Sequence, residues 1–175
     1  SKPLILFIPP PAPPERLLTI STACKRLLET GFKQEMRMVS ASPPEEDPES
    51  MVNCWLKRQR YQPKEAKKVL RSQLMYACLC VLREMVRWRP HLICGEGQGG
   101  LVALMVSRPL LIEWVCRYRA VTPAEINAFR MVLPMLQAVI VVDPTIARGF
   151  ADCQKVQEAL PEFFALQPRY HRTWI

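Results

Sequence analysis

His91-Leu92-Ile93-Cys94-Gly95-Glu96-Gly97-Gln98-Gly99-Gly100-Leu101-Val102-Ala103-Leu104-Met105-Val106 is the stretch on which the fold turns. Four of the six glycines of the chain crowd into residues 95–100. The residues before them read as a strand, and those after them as a helix. Glycine serves where a turn requires positive φ or where two backbones pack closely. Strand–glycine turn–helix junctions are also where α/β proteins place nucleophiles or cradle phosphates. The candidate ligand turn is therefore Gly95, Glu96, Gly97, Gln98, Gly99 and Gly100. It carries no hydroxyl or thiol at its apex.

Working outward, Leu4 to Ile8 is a continuous apolar run ended by proline, the pattern of a buried parallel strand. Glu15 to Thr30 carries apolar residues at helical spacing (Leu17, Leu18, Ala23, Leu27, Leu28), with Gly31 as its expected stop. Glu35 to Ala41 reads as a second strand, and Ser42 to Ser50 as a loop. Met51 to Gln62 has little pattern, and a short helix is expected around Trp55. Pro63 suits the first turn of a helix, whose stripe (Ala66, Val69, Leu70, Leu74, Ala77, Val81, Leu82) runs to about Arg89. Beyond the glycine turn, Leu101 to Ser107 is a short helix that must be buried. Leu110 to Cys116 reads as a strand and Pro123 to Gln137 as a helix. Ala138 to Val142 is the clearest strand of all, closed by Asp143-Pro144. A last helix, about Phe150 to Ala165, precedes a loosely patterned tail.

Strands alternating with helices give an α/β fold with a parallel sheet. The expectation is a single α/β domain over residues 1–175, either alone or as a segment of a larger polypeptide. Its architecture is a three-layer sandwich around a mainly parallel five-stranded sheet of order 2-1-3-4-5, with right-handed crossovers. The switch point then lies between strands one and three. The loops beyond their carboxyl ends are the proline run Pro9-Pro10-Pro11 and the glycine run.

Bulk composition is that of a globular chain: 175 residues, 49% hydrophobic and 23% charged. No run approaches the roughly 18 apolar residues of a membrane span, and the opening apolar run is too short for a signal segment. Seven cysteines, an odd number mostly within apolar stretches, read as free thiols of a reducing, cytoplasmic compartment. Cys78-Leu79-Cys80 falls on a helix, which turns the two thiols about 200° apart. With two histidines, no zinc-ligand spacing arises, and no metal or cofactor is expected. The net charge of +8 favours contact with polyanions.

The strand, the run Gly95-Glu96-Gly97-Gln98-Gly99-Gly100 and the helix after it resemble the nucleophile elbow of the α/β-hydrolases, G-x-S-x-G. The order of elements over roughly residues 3 to 145 is similar too. Where that family holds its serine, this chain has Gly97, so the resemblance implies a scaffold without the acyl-enzyme route. It also implies that Gln98 supplies one backbone N–H of the oxyanion hole. The other donor would come from Pro9-Pro10-Pro11, and proline has no N–H to give. Asp143 matches the position of the family's acid, and His171 is the one histidine late enough to be its base.

The same run satisfies G-x-G-x-x-G through Gly95, Gly97 and Gly100, with Glu113 eighteen residues beyond Gly95, near where a ribose-binding acid would stand. Against a nucleotide or phosphate ligand, Glu96 sets a negative charge where a pyrophosphate would dock. A third candidate is the basic segment Lys57, Arg58, Arg60, Lys64, Lys67, Lys68 and Arg71, close to Trp55 and Tyr61, which points to RNA contact. Its plainer reading is the solvated face of an amphipathic helix, offset by Glu45, Glu46, Asp47 and Glu49. His91 reads as structural. Trp114, Tyr118, Phe163, Phe164, Tyr170 and Trp174 favour packing on another chain, and the edge of the sheet must be covered. The expected function is a non-catalytic, hydrolase-like interaction or assembly module, with a protein partner or a second copy; the alternatives are a nucleotide or phosphate ligand at the Gly95–Gly100 turn and RNA contact through the basic segment 57–71.

Overall fold

Leu4–Ile8 (β1) has no polar side chain to turn toward water, and all five residues are buried. In the computed structural model, which describes residues 1–47, 49–57, 63–108, 110–117, 121–142 and 172–174, this strand is flanked by parallel neighbours on both sides. Pro13 and Pro14 open α1 (Pro14–Phe32), where the missing N–H of a proline costs nothing. Gly31 was the expected stop, but the helix runs through it. Termination falls on Lys33, at φ 53°, whose N–H bonds the Glu29 carbonyl. The chain returns as β2 (Arg37–Ser40), parallel to β1 in the register Leu4↔Arg37 to Phe7↔Ser40.

The expected loop and short helix over residues 42–56 are replaced in part by a small antiparallel ladder of β3 (Glu45–Glu46) and β4 (Asn53–Cys54). It delivers Trp55 and Leu56 into the core, each 1% exposed. The long stripe becomes α2 (Pro63–Trp88), then β5 (Leu92–Glu96) enters the glycine turn and α3 (Gln98–Val106) leaves it. Nearly every residue of α3 is buried, as a helix apolar all round must be.

Leu110–Cys116 is a helix, α4, and not the strand its apolar run suggested. Leu111, Ile112 and Val115 are buried while Glu113 and Cys116 are exposed, a spacing that follows the helical period and breaks strict alternation. A capping box between Thr122 and Glu125 then starts α5 (Pro123–Val132), and a single 3-10 turn, Leu133–Met135, leads into β6 (Ala138–Val142).

The fold is therefore α/β around a mainly parallel sheet of order β2-β1-β5-β6. The strand beside β5 is Ala138–Val142, with Leu92↔Ala138 to Glu96↔Val142 in register. This corrects the sequence expectation, in which Leu110–Cys116 was the fourth strand. Arg172–Trp174 (β7), from the tail, pairs parallel with β6. One face of the sheet meets a large cluster supplied by α2, α3, α4 and α5. The other meets a small one of Ile5, Phe7, Leu92, Cys94 and Ala138 with Cys24 of α1. Among the described residues, no helix is long and apolar enough to cross a membrane. Phe150 to Ala165 lies outside the described residues.

Candidate functional site

Gly97 stands at the apex between β5 and α3 with φ 57° and ψ −123°, a backbone that side chains of L residues rarely adopt. Its N–H bonds the Val142 carbonyl at 3.3 Å, and its carbonyl accepts the first helical bond of α3, from Leu101. The flanking glycines answer a different need. A Cβ at Gly95 would fall on the Gly99 carbonyl, and one at Gly99 on the Ile8 carbonyl. At Gly97 itself the nearest atom to such a Cβ would be Pro10 Cβ, at 3.4 Å. The proline loop after β1 thus roofs the apex.

Gln98 follows with its side chain already engaged. Its Oε1 accepts from the backbone N–H groups of Trp55 and Leu56, both at 3.2 Å, and its Nε2 donates to the Leu56 carbonyl at 3.2 Å. Trp55 in turn donates its indole N–H to the Pro9 carbonyl at 2.8 Å. Three segments distant in sequence are so joined at the carboxyl end of β1 and β5. No sequence signal announced this clamp. A buried Trp and a glutamine after the apex glycine are its only traces, and pairing across some forty residues has no local pattern.

Glu96 is half-buried, and the Cys24 thiol of α1 lies 4.0 Å from its Oε2. Cys94, two residues earlier on β5, is held above the usual thiol range by its contact with Cys24 and then by burial. Burial, reinforced by Asp47 and Glu45, raises Cys54 to about 11. A thiol so placed is not an activated nucleophile at neutral pH. All the described cysteines are free.

Asp143 and His171, the positions matching the acid and base of the resemblance, lie outside the described residues. His91 is not near the apex. Its Nδ1 accepts from Leu4 N–H at 3.1 Å, its own N–H bonds the Leu4 carbonyl, and its carbonyl accepts from Gln137. These bonds stitch the amino ends of β1 and β5 together.

Of the basic segment, Arg58 and Arg60 lie outside the described residues, and Lys64 and Lys67 are placed on α2 only by backbone. Lys57 pairs with Glu45 at 2.8 Å. Arg71 lies 4.0 Å over the Trp114 ring, a cation–π contact. Lys68 is exposed.

An open groove of about 660 Å³ lies beyond the carboxyl end of β2, between the proline loop, α1 and the β3–β4 ladder. Pro9, Pro13, Leu17, Leu18, Pro43 and Met51 are among its lining residues. A second, of about 530 Å³, runs along β2. None of Gly95–Gly100 lines either groove. No protein-family model, no curated protein and no solved structure matches the chain.

Proposed function

We propose that the chain is a non-catalytic, hydrolase-like α/β domain that serves as a protein-interaction or assembly module. The observation that carries the reading is the apex itself: a sharp positive-φ strand-to-helix turn with no side chain at Gly97 and Pro10 above it. A hydrolase elbow is sharp and strained so that it can present its nucleophile. Here the turn keeps that form while the nucleophile is missing. The next residue spends its amide on Trp55 and Leu56, and the loop opposite offers prolines. On this reading Arg172–Trp174 completes the sheet as its fifth strand, in the order 2-1-3-4-5.

The two other readings have less behind them. A phosphate at the turn would meet Glu96. In the RNA reading, Lys57 and Arg71 are already engaged with Glu45 and Trp114. Exposure to an alkyl fluorophosphonate tests the proposal: the native chain is expected to remain unlabelled. Covalent labelling that disappears in Gly97→Ala would overturn it.

A further inference from the structure

Strand β2 ends the sheet on one side, and its ladder with β1 fixes which of its backbone groups are used. Arg37 N–H bonds the Pro3 carbonyl at 2.8 Å, and Ala41 N–H bonds the Phe7 carbonyl at 2.8 Å. Residues 37, 39 and 41 therefore face β1, and the N–H and C=O groups of Met38 and Ser40 point away from the sheet. Among the described residues, nothing bonds them. An edge of this kind is a template for another strand.

The groove along the same edge has a definite chemistry. Lys2, Lys25 and Arg37 line it together with Met36, Met38 and Trp88, and no carboxylate does. Lys2 and Lys25 hold Glu35 and Glu29 at 2.5 and 3.7 Å. Arg37 is exposed and forms no ion pair among the described residues. Met38 packs toward the α1 face of the sheet, with Val39 toward the other. Arg37, two residues from Val39, shares Val39's face. A strand laid on β2 would thus meet apolar surface on one face and an unpaired guanidinium on the other.

We infer that the β2 edge is a docking site for an extended acidic peptide segment of a partner protein, which adds as a strand through Met38 and Ser40 and sets a carboxylate against Arg37. The partner's alternating pattern is acidic on the Arg37 face and apolar on the Met38 face. The net charge of +8 speeds the approach of such a segment. This inference rests on the interaction reading above and names the partner class for it.

The probe is a blocked, fluorescein-labelled peptide of alternating Glu and Val, about six residues long, an ordinary strand length. Titration into the full chain is followed by anisotropy, and amide shifts are mapped on isotope-labelled protein. Saturable binding with shifts centred on Met38 to Ser40 is expected. Arg37→Glu, or N-methylation of the peptide at alternate residues, should each weaken it at least about tenfold. N-methylation leaves the protein untouched, so its effect cannot come from misfolding. Absence of binding, or binding indifferent to both changes, would remove the assignment. So would a wild-type dimer, seen by light scattering and abolished by Met38→Pro, because the edge would then belong to a second copy. A negative titration on a chain that also resists the phosphonate discards the edge site and leaves the scaffold reading standing.

Discussion

Helix α3, which the glycine turn opens, and helix α1 lie on opposite faces of the same sheet and are held in opposite ways. At the turn, backbone touches backbone, and there is no room for a methyl group at Gly95 or Gly99. Along α1, Cys24 is the buried residue of nineteen, and Leu18 and Leu27 stand 70% and 71% exposed. Glycine density thus marks the place of closest packing as well as a place for chemistry. Gly95, Gly99 and, less severely, Gly100 are accounted for by sterics and Gly97 by its φ, so the motif needs no ligand to explain its composition. The α1 side, by contrast, has surface that its own described neighbours do not cover.

The contrast can be broken most severely at Gly99. In Gly99→Ala the added Cβ meets the Ile8 carbonyl, and neither backbone can yield without moving β1 or α3. Overpacking of this rigidity is expected to cost at least ~3 kcal/mol, read as loss of cooperative unfolding in urea. A stable, soluble Gly99→Ala protein would mean that the turn is looser than described. Trp55→Phe comes next. It keeps most of the buried ring but leaves the Pro9 carbonyl without its donor, at an expected cost of about 1–3 kcal/mol. Because that bond fixes the roof over Gly97, exchange of the Ala12 amide, the one backbone N–H between Pro9 and Pro14, should rise with it.

The tightly packed side also holds a flaw. Arg108, after α3, is 8% exposed, and its Nε and Nη1 are enclosed with no hydrogen-bond partner among the described residues. Burial pulls its pKa below the ordinary guanidinium value. Arg108→Met keeps the stem's apolar contacts and removes the unpaired groups. It should therefore raise stability by about 1 kcal/mol, seen as a higher urea midpoint with an unchanged slope. A loss of stability would instead mean that an anion meets this cation in solution.

What the sequence disclosed, and what it withheld, follows from the range of the interactions involved. Uniformly apolar strands such as Leu4–Ile8 and Ala138–Val142 were legible because burial on both faces leaves a continuous run. The glycine turn was legible because its backbone demands are local. Leu110–Cys116 was misread because a short apolar run fits a buried strand and a buried helix equally well. What decided it was which side chains found the core. The clamp of Gln98 on Trp55 and Leu56 is a contact between remote segments and left no period to find. The β2 edge at Met38 and Ser40, unbonded among the described residues, depends on strand order, which a single strand's residues do not encode.

Leu27 separates the two sides most finely. It is 71% exposed on α1, one residue from Leu28, which packs on the small cluster beneath the helix. If water is what covers it, Leu27→Ala removes little buried surface, and surface substitutions of this kind change stability by no more than about 0.5 kcal/mol. Alanine's better helix propensity even opposes part of that loss. The same substitution becomes costly only if another surface seals Leu27 in solution, since deleting a buried leucine side chain costs roughly 2–5 kcal/mol. Repeating the measurement over a range of protein concentrations tells which surface it is. A cost that grows with concentration belongs to a second copy, and a constant one to the chain's own remaining residues. An effect near zero throughout leaves α1 as the solvent-facing wall beside the β2 edge, open on the side from which a partner strand would arrive.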